Sequence, residues 1–188
     1  MANTSYGHPT RSARVPMKPD PTESPLAARI IVTGGTFDKH YDAIKGELTF
    51  SNSHLPLILE QSRVTVPIAL EINQLIDSLN MQDEHREHVL KSCRNATEKH
   101  IVIIHGTDTM AETARLVGAA ALDKTIVFTG AMIPYSVQGS DALFNLGFAL
   151  AAAQSMPFNT YVGMNGRLFR WDQVQKNKAD GVFEQAVN

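Results

Sequence analysis

The chain of 188 residues is 43% hydrophobic and has a formal net charge of −2, a composition that is ordinary for a globular domain. This small charge gives no reason to expect a nucleic acid or an anionic membrane as partner, and no segment approaches the roughly 20 consecutive apolar residues that a transmembrane helix needs. The single cysteine, Cys93, excludes an internal disulfide framework, and the N-terminus lacks the apolar centre of a signal peptide, so we expect a cytoplasmic protein.

The first 28 residues contain five prolines among small and polar side chains. Such a segment cannot bury enough apolar surface to offset the entropy that it would lose on ordering. We therefore predict a flexible, proline-rich tail at 1–28 and a single domain at 29–188, a length that suits one α/β unit.

Beyond the tail, short aliphatic segments alternate with helical ones. In chain order, the patterns predict a strand at 29–32, a loop or hairpin at 37–50, a short helix at 55–60, a strand at 63–69, a helix at 82–95, a strand at 101–104, a helix at 109–122, a strand at 125–128, a helix at about 141–153, a strand at 161–164, a tight turn at Asn165-Gly166 and a hairpin arm within 169–183. Thr109 and Glu112 have the spacing of a capping box. The alternation predicts an α/β fold with a mostly parallel, doubly wound sheet of Rossmann-like or flavodoxin-like type.

Three of the predicted strands run directly into short loops of glycine and hydroxyl residues. These loops are Thr33-Gly34-Gly35-Thr36, His105-Gly106-Thr107-Asp108-Thr109 and Thr129-Gly130-Ala131-Met132. The β-branched residues before them suit strands that are buried on both faces, as in a parallel sheet. If the strands are neighbours, their loops converge on one crevice at the carboxyl edge, where open α/β sheets bind ligands.

The residue types on these loops suit acyl transfer. A hydroxyl such as that of Thr36 or Thr107 becomes nucleophilic only when a neighbour removes its proton or its alkoxide is stabilised. Asp108 can order a base or an attacking water, Tyr41 lies close to Thr36 in sequence, and glycine-flanked N–H groups can stabilise an oxyanion. Two other interpretations stay open at this point. In the first, the loops have only a structural role. In the second, they bind phosphate, but the absence of both the G-x-G-x-x-G and the G-x-x-x-x-G-K-[ST] patterns weakens this interpretation.

Two other groups of residues give weak signals. His85 and His88 are three residues apart on a predicted helix, but their charged neighbours are typical of a solvated face, and no H-E-x-x-H or C-x-x-C pattern accompanies them. We expect no metal site there. Cys93 has no matching histidine and asparagine in its surroundings, which favours a buried, unreactive thiol.

The three loops, together with Ser140-Asp141-Ala142-Leu143-Phe144-Asn145, resemble the bacterial-type L-asparaginases. The resemblance covers about residues 30–183 and implies the N-terminal domain type of that family, in a short form that lacks the family's C-terminal domain. It implies hydrolysis of L-asparagine to L-aspartate and ammonia, without a metal or an organic cofactor. By the same resemblance Thr36 would be the nucleophile that forms a β-aspartyl ester, and Tyr41 would help to activate it.

The resemblance also implies how substrate is held. Thr107 and Asp108 would position substrate and the attacking water, and Asp108 would also bind the α-amino group. Ser78 would bind the α-carboxylate, with Leu79 standing where the family has a glutamine. The pocket lining would further include the backbone of Gly35, Gly106 and Ala131.

The two-domain members of the family that the chain resembles carry a lysine in the helix after the Phe-Asn motif, paired with the aspartate, but here that region reads Ala153-Gln154-Ser155-Met156. We predict that Lys176 in the C-terminal arm supplies this cation, with Lys178 as the second choice. Because a second domain completes a neighbour's active site in two-domain relatives, this short form is expected to be a homo-oligomer, a dimer or a tetramer. Two alternatives remain: an amidase that acts on another small amide such as glutamine, and a non-catalytic amino-acid-binding domain.

Overall fold

The structure, a computed structural model, describes residues 27–186. The predicted flexible tail lies outside the described residues except at its last two positions. The first strand already begins at Ala28, which the sequence pattern assigns to the tail.

Within this range the chain forms an alternating series of strands and helices, as predicted. The strands are β1 (Ala28–Gly34), β2 (His40–Asp42), β3 (Glu47–Thr49), β4 (Ile68–Ile76), β5 (His100–Ile104), β6 (Thr125–Thr129), β7 (Asn159–Met164), β8 (Arg167–Arg170), β9 (Val174–Asn177) and β10 (Val182–Gln185). The α-helices are α1 (Leu55–Gln61), α2 (Asp83–Asn95), α3 (Met110–Ala119) and α4 (Ala142–Ser155), with single 3-10 turns at Thr36–Asp38 and Ser78–Asn80.

The central sheet has six strands in the order β4-β1-β5-β6-β7-β8. Its first five strands are parallel, and β8 pairs antiparallel with β7 through the predicted turn at Asn165-Gly166. The predicted α/β class with a mostly parallel, doubly wound sheet is confirmed. The strand order of the parallel part is that of flavodoxin-like sheets, in which the direction of winding reverses between the first and third strands of the fold, here β1 and β5.

Helices cover both faces of this sheet. On one face α1 and α4 contribute side chains such as Leu55 and Leu146 to a buried cluster with Val32. On the other face α2 and α3 form a second cluster, in which Val89 packs with Ile31. Adjacent strand residues point to opposite faces, so an unbroken run of aliphatic residues serves both clusters. Burial of each such side chain stabilises the fold by about 1.5–3 kcal/mol.

Two local predictions are wrong. The strand expected at 63–69 begins only at Ile68, because Arg63 adopts a left-handed conformation (φ 51°) and Pro67 cannot donate a ladder hydrogen bond. The capping box at the third helix is also absent. Thr109 occupies the N-cap position, but its hydroxyl donates to the carbonyl of Ser78 at 2.9 Å instead. The C-terminal arm forms a separate two-stranded sheet of β9 and β10.

Candidate active site

The loops after β1 and β5 touch each other where the winding of the sheet reverses. Gly35 has φ 81° and ψ −179°, and a Cβ atom there would lie only 2.4 Å from the Cα atom of Gly106. Only glycine permits this backbone conformation and this approach. Thr36 and Thr107 directly follow the two glycines, so the contact holds both hydroxyl-bearing residues on adjoining turns.

A third turn, which carries Ser78, packs against the same contact. A Cβ atom on Gly106 would lie 2.5 Å from the Ser78 hydroxyl oxygen, and Thr109 binds the Ser78 carbonyl. Ser78 is only 1% exposed, whereas Leu79 beside it is 65% exposed. The serine hydroxyl is therefore built into the site, and the leucine side chain lies at its rim.

Lys176 lies between Thr107 and Asp108. Its ammonium group donates to the Thr107 hydroxyl oxygen at 2.8 Å and to Asp108 Oδ1 at 2.7 Å. The lysine side chain is 9% exposed and the Asp108 side chain is 37% exposed, so the cation lies on the protein side of the carboxylate. Strand β9 positions the lysine, and Lys178 is exposed on the turn that follows.

The loop after β6 closes on Thr107 from the other side. A Cβ atom on Gly130 would lie 2.4 Å from the His105 carbonyl oxygen and 3.5 Å from the Thr107 methyl group. Asn145 holds this loop through a 3.0 Å hydrogen bond from its amide to the Gly130 carbonyl. Ala131, the next residue of this loop, is buried.

Two residues of the Ser140–Asn145 motif organise this loop through contacts that the sequence does not predict. Asp141 does not cap α4 with its side chain, because its carboxylate accepts hydrogen bonds from the main-chain N–H groups of Met132 and Ile133 at 3.0–3.1 Å. Asn145 also binds the main-chain N–H of Asn165, at 3.0 Å. The sequence did contain one signal for Asn145. It is an amide in an apolar helix without charged residues, and a polar side chain that becomes buried there needs hydrogen-bond partners.

The turn that begins at Thr36 is anchored by charged residues. Lys39 forms a 2.5 Å ion pair with Asp77, which joins this turn to the turn of Ser78. Burial is the largest single effect on the Asp77 carboxyl and opposes its ionisation. The hydrogen bonds from Lys39 and from the main-chain N–H of Leu79, together with the charge of Lys39, outweigh burial and lower the pKa of the carboxyl. Asp38 is fully buried, and burial raises its pKa even though the N–H of His54 binds it.

Tyr41 makes no hydrogen bond to the nucleophile candidate. It lies on the β2–β3 hairpin, is 63% exposed, and its side chain makes no hydrogen bond to any residue in 27–186. The structure thus brings together Thr36, Thr107 and Ser78 but leaves Tyr41 at the surface.

His105 is buried behind the site as a neutral imidazole. Burial lowers its pKa from the ordinary 6.5 to about 4, and this effect exceeds the opposing hydrogen bond to Gly106. Its Nδ1 lies 2.7 Å from the Gly106 carbonyl oxygen and therefore carries the proton, while Nε2 has no partner among residues 27–186. The ring packs edge-on against Phe128.

The residues with weak sequence signals have structural surroundings. His85 accepts a hydrogen bond from the N–H of Gln82 at the start of α2, and His88 is exposed on the same helix. Cys93 is buried, which raises the pKa of its thiol to about 12. Among residues 27–186 no group of three or more histidine, cysteine, aspartate or glutamate side chains is placed to hold a metal ion. The same residues form no helix that is both long and apolar enough to cross a membrane.

The chain is similar to known proteins over most of its length. A family model described as "Asparaginase, N-terminal" matches residues 28–184. The chain is 32% identical over 164 residues to L-asparaginase 1 of Escherichia coli K12, which covers 81% of this chain and 48% of that protein. It is 28% identical over 158 residues to a glutamyl-tRNA(Gln) amidotransferase component of Sulfurisphaera tokodaii, covering 78% of this chain and 34% of that protein.

The fold is also similar to that of a solved L-asparaginase structure. The probable cytoplasmic L-asparaginase of Campylobacter jejuni superposes with a TM-score of 0.72 at 28% identity, over 85% of this chain and 52% of that one. The chain therefore spans about half the length of the L-asparaginases it matches.

Proposed function

The chain belongs to the asparaginase family, and on that basis we propose that it hydrolyses L-asparagine to L-aspartate and ammonia through a threonine nucleophile and a covalent acyl-enzyme. The observation that carries the proposal is the arrangement at the β1–β5 switch point. Thr36, Ser78 and the group of Thr107, Asp108 and Lys176 lie on turns that are in direct contact there.

In the first half of the reaction the Thr36 hydroxyl oxygen attacks the side-chain amide carbon and gives up its proton. The tetrahedral oxyanion that results is stabilised by the N–H groups of the glycine-flanked turns. When the C–N bond breaks, the leaving nitrogen takes up a proton and departs as ammonia. A β-aspartyl ester on Thr36 remains.

In the second half, water attacks the ester carbon, the C–O bond to Thr36 breaks, and the proton that the water loses returns to the Thr36 oxygen. Because the Lys176 ammonium donates to the Thr107 oxygen, that oxygen is an acceptor toward lysine, and its own O–H proton is directed elsewhere. Thr107 can therefore donate to substrate or exchange a proton with the water. Lys176 also balances the negative charge of the Asp108 carboxylate, so the pair adds no net charge to a site from which water is partly excluded.

Substrate orientation comes from the two ends of the amino acid. The Asp108 carboxylate, 37% exposed, faces the α-ammonium group, and the Ser78 hydroxyl binds the α-carboxylate. Leu79 contributes no polar contact, so we expect a weaker hold on the substrate than a glutamine at that position would give. Tyr41 could assist Thr36 only after movement of its hairpin, and its activating role stays a prediction.

The alternative reaction is hydrolysis of another small amide such as glutamine. The similarity to an amidotransferase component supports an amide-cleaving relative with a different substrate. The second alternative, a non-catalytic amino-acid-binding domain, requires a site that is incomplete. The cation beside Asp108 argues against it, since Lys176 makes both hydrogen bonds that the proposed chemistry needs.

We also propose a homo-oligomer in the cytoplasm. Helix α4 contains no charged residue, and its Leu143 and Phe144 side chains are 47% and 61% exposed. Exposed apolar surface of this kind marks interfaces between proteins. Light scattering should give the mass of a dimer or tetramer, and Phe144→Glu should lower that mass. A monomeric parent protein would contradict the proposal.

The proposed cytoplasmic location rests on the single cysteine. A free, buried Cys93 accords with a reducing compartment.

Ammonia release from asparagine and from glutamine by the purified chain tests the proposed activity. We expect a higher kcat/KM for asparagine, and the reverse order would establish the alternative substrate. Thr36→Ala should lower kcat by at least about 1000-fold, and Lys176→Met by about 100-fold. Added hydroxylamine should divert the ester to β-aspartyl hydroxamate in the parent protein. If Thr36→Ala kept full activity, the nucleophile would be another residue.

A further inference from the structure

A buried carboxylate and a partly buried imidazole lie behind the Thr36 turn, and the proposed chemistry uses neither. Asp38 ends the 3-10 turn that Thr36 begins, and it has no exposed surface. Its Oδ1 accepts a hydrogen bond from the main-chain N–H of His54 at 2.8 Å and lies 3.7 Å from Nδ1 of the His54 ring. The Asp38 Oδ2 and His54 Nδ1 atoms are both buried, and neither has a hydrogen-bond partner within 27–186. We infer that Asp38 and His54 form a positioning pair for the Thr36 nucleophile, an inference that rests on the proposed function.

The buried Asp38 carboxyl needs a partner for its charge. An isolated carboxylate in a protein interior is costly, and burial raises the pKa of Asp38. The nearest compensating group is the His54 imidazole, whose Nδ1 lies 3.7 Å from Asp38 Oδ1, within ion-pair distance although longer than a hydrogen bond. Carboxylate with imidazolium and carboxylic acid with neutral imidazole contain the same number of protons and have zero net charge. Either form removes the cost of an unpaired buried charge.

Asp38 and Thr36 lie at the two ends of one short turn. Their turn is only three residues long and is closed by hydrogen bonds from the Asp38 N–H to the Gly35 carbonyl and from the Lys39 N–H to the Thr36 carbonyl. The turn has almost no freedom to shift at one end without the other. Anchoring Asp38 to the first residues of α1 therefore fixes where the Thr36 hydroxyl lies.

A third element ties the pair to the opposite wall. The Tyr135 ring packs against the His54 ring, with centroids 5.5 Å apart, and the Tyr135 N–H donates to the Phe37 carbonyl at 3.2 Å. Phe37 lies between Thr36 and Asp38 and is fully buried. The His54 imidazole therefore lies between the turn that carries Thr36 and the loop that follows β6.

The contact between Asp38 and His54 matters more for the position of the Thr36 turn than for the stability of α1. That helix already has a local side chain at its start, since the Leu55 N–H donates to the Ser53 hydroxyl oxygen at 3.2 Å. Loss of the Asp38 side chain would remove its contact with Ser53 but would not remove the capping hydroxyl itself. What it would remove is the link that fixes Thr36, and a misplacement of about 1 Å in a reacting group can lower the rate about 100-fold.

The experiment compares kcat and KM of full-length variants for asparagine hydrolysis. Asp38→Ala should lower kcat by about 100-fold with KM unchanged, because Ser78 and Asp108 stay in place. Asp38→Asn keeps an acceptor for the His54 N–H and supplies a donor for the ring, so we expect it to retain kcat within about threefold. Asp123→Asn, in an exposed loop before β6, is the matched control and should have no effect.

A second pair of variants decides the question even if Asp38→Ala does not fold. His54→Ala leaves a buried carboxylate without its partner and should lower kcat about tenfold. Adding Asp38→Asn to His54→Ala should restore most of that loss, since a neutral amide needs no shared proton. Additive losses would overturn the pairing, and an unchanged kcat in folded Asp38→Ala would overturn positioning. A parent protein without activity would overturn the proposed function first, and this inference with it.

Discussion

The buried imidazole of His105 makes the stability of the protein depend on pH in a way that can be calculated. Its pKa falls from 6.5 to about 4 on folding, because burial disfavours the imidazolium form. Between these two values the unfolded chain binds more protons than the folded one. The stabilisation is therefore complete above about pH 6.5 and is lost as the pH falls through about 4.

The magnitude follows from the shift. One pKa unit corresponds to about 1.4 kcal/mol, so the full loss below pH 4 is about 3.4 kcal/mol. At pH 4.5 the free energy of unfolding should be lower by about 2.5 kcal/mol than at pH 8 from this group alone. Against a total of roughly 5–15 kcal/mol for a typical domain, such a loss is large enough to measure.

The assay is urea unfolding at a series of pH values, followed by fluorescence of Trp171, the single tryptophan. His105→Asn is the informative variant, because its amide can donate to the Gly106 carbonyl but does not titrate. Between pH 8 and 4.5 the parent should lose about 2.5 kcal/mol more than this variant. His88→Asn, on an exposed helical face, is the control. Parallel curves for parent and His105→Asn would refute the reasoning.

Two further predictions concern the contacts between the loops. Gly35→Ala should lower the free energy of unfolding by at least about 2 kcal/mol and abolish most activity, because the new Cβ would overlap Gly106. Gly46→Ala is the control, since Gly46 also has a positive φ but has open space around it. It should lower the free energy of unfolding by only about 1 kcal/mol, measured by thermal or urea unfolding. A double-mutant cycle on Lys39→Met and Asp77→Asn should give a coupling energy of about 1 kcal/mol in urea unfolding. Additive effects of the two changes would show that this ion pair stabilises nothing.

Much of the fold could be predicted because its signals are local. The run Ile101–Ile104 is β-branched throughout, and Gly106 after it permits a sharp turn, so a buried strand with a loop at its end follows from the residues themselves. The rule that parallel strands present their ends on one edge then brings Thr36 near Thr107, provided that β1 and β5 are neighbours, as they are in the structure. The start of β4 could not be predicted in the same way, because Pro67 and the left-handed Arg63 delay it and the alternation of residues does not reveal this.

The candidate site was only partly accessible to the same reasoning. Thr36, Thr107 and Asp108 lie on the loops that carry the pattern, whereas Lys176 lies in a distant arm and was only the best candidate among the remaining lysines. Asp38 could not be identified, because a single aspartate in a polar loop is an ordinary feature until its burial is known.

The amino-acid sequence by itself determined the class of fold, the three glycine-bearing loops and the hydroxyl groups on them, since strand propensity and glycine freedom act over a few residues. Only the tertiary structure decided which cation meets Asp108, which imidazole meets Asp38 and which amide holds Gly130. The physical reason is separation along the chain. Lys176 is 68 residues from Asp108, and contacts over that distance depend on strand order, register and close packing of the whole domain, which no local pattern encodes.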